Sequence, residues 1–209
     1  MKREAIAERG IWSGAKRYIM LVWNNEGVQY KEPKFKMTGI EAVRASTPTA
    51  CREMIKKGAR IIIDLDQQKL YDFIEQCKKE FNNAPIKDIA RNSSVKDTKK
   101  YRLGDKGVPS HVMGSLVYND LVKRNNLEEK YPLIKDGDRV KFVKMKLPNP
   151  AQSQWVAFPN AYLPVEFNLD RYIDRDELAQ VGFLTPLNTI ASAANMNLEP
   201  VSSLESFFC

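Results

Sequence analysis

Histidine and cysteine are scarce in this chain, and their scarcity removes whole classes of chemistry. The three cysteines, Cys51, Cys77 and Cys209, are scattered, odd in number and without metal-ligand spacing. Neither a zinc site nor a disulfide framework is indicated, and free thiols point to a reducing compartment, the cytoplasm. Long apolar runs are missing too. Nothing approaches the roughly 18 residues of a membrane span, and the opening MKREAIAERG carries charge without the apolar stretch of a secretory signal. No membrane partner is therefore expected. Glycine loops of the Walker A and GxGxxG types are absent as well. The single histidine, His111, reads as structural or as a phosphate donor rather than a catalytic base. A Ser-His-Asp arrangement stays open on composition, although nothing marks a nucleophile.

What is present is cationic charge, unevenly spread. The net charge is +7 over 209 residues, with 43% apolar and 28% charged side chains, enough for one sizeable domain or one domain and part of another. Residues 1–36 hold eight Lys/Arg against four acids, and residues 86–106 hold seven against three. The remainder is close to neutral. Two clusters of cations around a balanced chain suit a polyanion, because each neutralised phosphate releases condensed counterions.

Hydrophobic spacing predicts an α+β chain. Met1 to Arg9 reads as a short helical piece broken by Gly10, Ser13 and Gly14. Tyr18 to Trp23 reads as a strand, Asn24-Asn25-Glu26-Gly27 as a turn, and Val28 to Tyr30 as the return of a hairpin. Pro33 should interrupt it, with another extended segment from Lys36 to Val43. Ser46-Thr47-Pro48 marks a helix start. Met54, Ile55, Ala59, Ile62 and Ile63 then form one helical stripe, and Leu70, Phe73, Ile74, Cys77 and Phe81 a second, with Asp66 as its cap. Gly58 is an unfavourable residue within the first helix. Residues 86–110 read as a long polar connection, followed by a helix from His111, a turn at Asp136-Gly137-Asp138 and a strand through Val140, Phe142 and Val143. A proline-rich stretch precedes two helices, Asp170 to Val181 and Thr185 to Asn195.

Three Asp-x-Asp pairs invite a metal reading: Asp64/Asp66, Asp136/Asp138 and Asp174/Asp176. Capping, turn formation and a solvated helix face account for them, so no catalytic residue, metal ligand or cofactor is assigned to this chain. The basic connection is more specific. Arg91, Asn92, Ser93, Ser94, Lys96, Lys99, Lys100, Tyr101 and Arg102 interleave cations, hydroxyls, an amide and an aromatic, the groups that hold a protein on a sugar-phosphate backbone without reading sequence. The tail SSLESFFC is the third feature. Leu204, Phe207 and Phe208 fall within one helical turn after Pro200, a spacing suited to plugging an apolar groove on a partner.

Taken together, these stretches resemble the C-terminal part of family B DNA polymerases, in particular the replicative polymerases of large tailed phages. KREAIAERGIWSGAKRYIMLVWNNEGVQYKEPKFKMTGIEAVRASTP looks like the last palm segment. It contains the family's Lys-Lys-x-Tyr motif as Lys16, Arg17 and Tyr18, with Ala15 in place of the first lysine. The resemblance implies that these residues meet the primer-template duplex near the growing end. It further implies a palm segment over 1–45, a thumb over 46–199 and a clamp-binding tail over 200–209. PSHVMGSLVYN, DGDRVKFV and SLESFF each look like a family segment, the last a sliding-clamp hook whose glutamine position holds Val201. Arg91, Ser93, Ser94, Lys99, Lys100, Tyr101 and His111 would then face DNA, and Leu204, Phe207 and Phe208 the clamp.

The family's two aspartate motifs, Asp-x-x-Ser-Leu-Tyr and Tyr-x-Asp-Thr-Asp, do not occur here. The implied Mg2+ and the nucleotidyl transfer it supports would belong to an N-terminal half carrying exonuclease, fingers and catalytic palm. The chain would be a split subunit or a fragment, inactive as a polymerase by itself. On this view the apolar surface around Ile19, Leu21 and Trp23 should lie at an unpaired sheet edge awaiting that half. The competing expectation is a non-enzymatic adaptor that recruits a partner through its Phe-Phe tail and has no role on DNA.

Overall fold

The computed structural model describes residues 4–159 and 162–200. The chain is α+β, as its spacing predicts, and builds two separate antiparallel sheets of three strands each. It divides into two compact units. The segments ending at Arg44, spanning Ala50–Asn83 and beginning at Gln180 form one, and Ala45–Thr49 with Ala84–Ala179 form the other.

In the first unit, β1 (Ala5–Gly14), β2 (Arg17–Asn25) and β3 (Val28–Thr38) form a meander with β2 in the centre. The predicted helical piece at Met1 to Arg9 is corrected to the edge strand β1 over its described residues. Its apolar alternation is masked by register irregularities between Ile6 and Ala7, Ala7 and Arg9, and Trp12 and Gly14. Pro33 does not end β3. That strand lies at the sheet edge, where a missing N–H is tolerated, and the ladder shifts register between Val22 and Asn24. The extended segment expected up to Val43 stops at Thr38, and Glu41–Val43 is a short 3-10 turn. Ile19 and Leu21 are buried within this unit, so the unpaired edge expected around them is replaced by a central strand whose apolar face is covered.

Helices fill the rest of this unit's core. α1 (Thr49–Ile63) buries Cys51, Met54, Ile55, Gly58, Ala59, Ile62 and Ile63, and α2 (Gln67–Asn83) buries Leu70, Ile74, Cys77 and Phe81. Each fully buried Ile or Leu contributes about 1.5–3 kcal/mol. Asp66 caps α2, its Oδ1 accepting from the Lys69 N–H at 3.0 Å. Gly58 proves to be a packing requirement. A Cβ there would lie 2.7 Å from Leu187 and 3.1 Å from Phe73, so the glycine lets three elements meet. Burial, with Glu80 nearby, raises the Cys77 thiol to about 12, which leaves it inert.

The second unit carries a short helix α3 (Ile86–Ile89), then β4 (Arg91–Ser94), α4 (Ser110–Arg124), β5 (Arg139–Lys144) and β6 (Trp155–Phe158). β5 is the middle strand. Both β4 and β6 fall where a connection and a proline-rich stretch were expected. α4 lies on β5 and β6, close enough that a Cβ at Gly114 would meet the Ala157 backbone nitrogen at 2.8 Å. Tyr118 on α4 is buried edge-on against Phe167, and its phenol is raised to about 12 by desolvation and by Tyr131. Glu166 accepts from both Lys130 and Tyr131, which holds its carboxyl down at about 2. α5 (Arg175–Ala179) is shorter than predicted. A π-helical turn, Gln180–Leu184, follows it and leads into α6 (Thr185–Ala193) in the first unit.

Candidate nucleic-acid interface

Two cationic clusters arise, one on each unit. In the first unit β1 and β2 are joined by the two-residue turn Ala15-Lys16, since Gly14 pairs with Arg17. Lys16 takes a left-handed φ of 59° and is exposed at the tip. Gly39, at φ +69°, closes over the turn from the end of β3. A Cβ there would sit 2.1 Å from the Lys16 carbonyl oxygen.

Arg17 is not free. Its guanidinium grips both oxygens of Glu41 at 2.6 and 2.7 Å, and Arg44 approaches the same carboxylate at 3.9 Å. A charge-assisted pair of this kind braces the turn, so Arg17 serves as a strut and Lys16 carries the presented charge. Tyr18 is half-buried and faces Trp12 across the strands, ring centres 6.1 Å apart. Trp12 escapes the sequence reading, which ends its helical piece at Arg9 and treats Gly10, Ser13 and Gly14 as a break. Its placement opposite Tyr18 becomes visible once Ala15-Lys16 is read as a hairpin turn.

In the second unit Arg91, Ser93 and Ser94 lie on β4, opposite Phe142, Val140 and Arg139 of β5. A cleft of about 480 Å³ opens there, its polar lining supplied by Ser46, Asn92, Ser93, Ser94, Arg139 and Lys141. The last two were not among the predicted contacts. Arg91 sits 5.6 Å above the Phe142 ring, and His111 packs on the same ring at 5.9 Å. Burial, reinforced by the Arg91 charge, lowers the His111 pKa below its usual value, so at neutral pH the imidazole is an uncharged hydrogen-bonding group.

Lys99 and Lys100 protrude from the 3-10 turn Thr98–Lys100, and Lys100 stands 5.8 Å from the Tyr101 ring centre. This turn is anchored. The Thr98 N–H donates to Asp136 at 2.9 Å, and the Thr98 hydrogen bonds keep that carboxyl below its ordinary value. Val95 is tied on both sides, to the Asp138 carbonyl and from the Gly137 N–H, each at 2.9 Å. What spacing alone reads as a loose connection is therefore a fixed scaffold for cations.

Their partners, or lack of them, distinguish these cations from others in the chain. Lys87, Arg91, Lys96, Lys99, Lys100, Arg102 and Lys106 are all exposed, and among the described residues none forms an ion pair. Lys56, Arg60, Lys78, Arg124, Lys130, Lys144 and Lys146 all do. Exposed pairs contribute only ~0–1 kcal/mol, so their absence costs the fold little while leaving the charge available to phosphates.

The aspartate pairs are engaged in local structure. Asp66 caps α2, Asp136 and Asp138 accept backbone N–H groups from Thr98 and Lys135, and Asp174 accepts from Glu177 at the start of α5. Among the described residues no three His, Cys, Asp or Glu gather as metal ligands. No chemical step is assigned to these carboxylates. Among the described residues no helix is long and apolar enough to cross a membrane. Leu204, Phe207 and Phe208 lie outside the described residues.

Each unit thus holds exposed cations on a sheet scaffold, Lys16 on the first and the Lys87–Lys106 segment on the second. Comparison with known proteins sharpens this picture. The chain is 31% identical, over 222 residues, to a DNA-directed DNA polymerase of Escherichia phage RB69, an alignment covering 100% of this chain and 24% of that protein. It is 30% identical, over 207 residues, to the DNA-directed DNA polymerase of Enterobacteria phage T4, covering 95% of this chain and 22% of the other. The chain is thus homologous to these phage polymerases while spanning about a quarter of their length. No family model matches it.

Proposed function

We propose that the chain is the end-of-palm and thumb portion of a family B replicative DNA polymerase, present as a split subunit or as a piece of a longer polypeptide. It grips primer-template duplex without sequence preference. Lys16 and Tyr18, braced by Arg17, hold the primer end. Arg91, Ser93, Ser94, Lys99, Lys100 and Tyr101 meet the backbone, and His111 supplies an uncharged donor. Leu204, Phe207 and Phe208 engage the sliding clamp. Nucleotidyl transfer and its Mg2+ reside on the portion of the polymerase outside this chain, together with the exonuclease and fingers.

The observation that carries this reading is the set of seven exposed cations between Lys87 and Lys106 that form no ion pair among the described residues. Homology to two phage polymerases supports the assignment of their polyanion as DNA. Backbone contacts carry no sequence information, so duplexes of unrelated sequence should bind with affinities within a few-fold of one another. Fluorescence anisotropy with two such duplexes tests this, using the intact chain and its Phe207→Ala/Phe208→Ala variant. The two proteins should bind DNA equally, while only the intact chain holds the clamp. An adaptor working through its tail would show tail-dependent capture and no duplex binding.

A further inference from the structure

On the hairpin sheet, the face opposite the buried Ile19 and Leu21 is only partly covered, and its composition is specific. Register places Trp12 beside Tyr18, Gly10 beside Met20, and Met20 beside Lys36. The paired segments Gly10–Gly14, Arg17–Val22 and Lys34–Thr38 contain no carboxylate; Arg17 is held by Glu41, while Lys34, Lys36 and Lys16 at the adjoining tip form no ion pair among the described residues. Trp12 is 58% exposed, unusual for the largest apolar side chain in a unit with a well-filled core. Its six-membered ring lies over Gly10. A Cβ at that glycine would fall 2.6 and 2.7 Å from the ring's Cη2 and Cζ3. The absence of a side chain at position 10 therefore makes room for the indole, which abuts the Gly10 backbone and stays largely exposed.

We infer that Trp12, with Tyr18 alongside, is a stacking platform for an unpaired or terminal base of a nucleic acid. This rests on the reading above and adds to it a residue and a ligand feature. An indole seated against Gly10 and Tyr18 offers exposed aromatic surface at little entropic cost. Bases present a free π-face only in single strands and at duplex ends, and surrounding cations attract the phosphates on either side. A protein partner would be expected to meet carboxylate-complementing or apolar surroundings. Lysines with no carboxylate on the paired segments beside them fit a polyanion instead.

The test compares three probes at fixed salt: a single strand, a primer-template with a template overhang, and a dumbbell duplex closed by loops too short to splay a base. Trp12→Ala should weaken binding of the first two about tenfold and leave the dumbbell within twofold. Trp12→Phe should restore most of the loss. The salt slope should not change, because stacking releases no counterions. With Trp12 as the sole tryptophan, in a Trp23→Phe/Trp155→Phe background, the overhang probe should quench its fluorescence, and this readout needs no Trp12 substitution. Equal loss on all three probes, or no loss and no quenching, overturns the inference. Lys99→Ala/Lys100→Ala separates the two failures. If that variant loses affinity for every probe while Trp12→Ala is silent, only the platform falls. If neither variant has an effect, the grip on DNA falls with it.

Discussion

Replacing Gly39 by alanine should unfold or loosen the hairpin that presents Lys16 and Tyr18, and do so more severely than any exposed substitution in this chain. Two costs combine. The backbone at Gly39 has φ +69°, a region in which an L-residue pays roughly 1 kcal/mol or more. The added Cβ would also stand 2.1 Å from the Lys16 carbonyl oxygen. That neighbour is backbone held in a two-residue turn, so it cannot swing away as a side chain tip would. A loss of about 2–4 kcal/mol, or roughly 10 °C in Tm, is expected. Gly27 supplies the control. It has φ +90° but nothing within 4 Å, so Gly27→Ala should cost only the conformational part, about 1 kcal/mol. Thermal unfolding of both variants measures the difference. Equal effects would mean that the turn yields freely and that its geometry is not set by packing.

The second large effect concerns binding. Lys99→Ala/Lys100→Ala should weaken duplex affinity about ten- to a hundredfold at low salt and reduce the salt slope by about 2. Stability should hardly change, because both lysines are exposed and neither forms an ion pair among the described residues. Lys56→Ala is the matched comparison. That lysine is paired with Glu53 at 3.1 Å on α1, and its removal should leave duplex affinity near the original value. Anisotropy titrations at two salt concentrations separate the cases. Equal losses from both variants would reduce the effect to net charge and remove the special standing of the Lys87–Lys106 segment.

Much of this could be read before the fold was known, where burial imposes a period on the residues. The stripes of α1 and α2 were legible because Ile55, Ala59, Ile62, Leu70, Ile74 and Phe81 must all meet one core. β2 and its turn to β3 were legible for the same reason, Ile19 and Leu21 sharing a buried face. β4 was not. Arg91-Asn92-Ser93-Ser94 has no apolar alternation, and it is a strand because the edge of β5 is there to pair with it. β6 is four residues in a proline-rich stretch, shaped by close packing against Gly114. Likewise the basic character of both clusters was visible, while the division of labour within them was not. Arg17 and Lys16 are adjacent, yet only the fold brings Glu41 to Arg17, twenty-four residues away, and leaves Lys16 exposed. Trp12 was hidden because only the pairing of β1 with β2 sets it beside Tyr18.

The measurement that bears most directly on the central claim is the affinity of the intact chain for primer-template duplex as a function of salt between 50 and 200 mM. With most of the seven unpaired cations between Lys87 and Lys106 meeting phosphates, the plot of log affinity against log salt should be linear with a slope of about −4 to −6. A slope near zero, or no binding at 50 mM, would contradict the account.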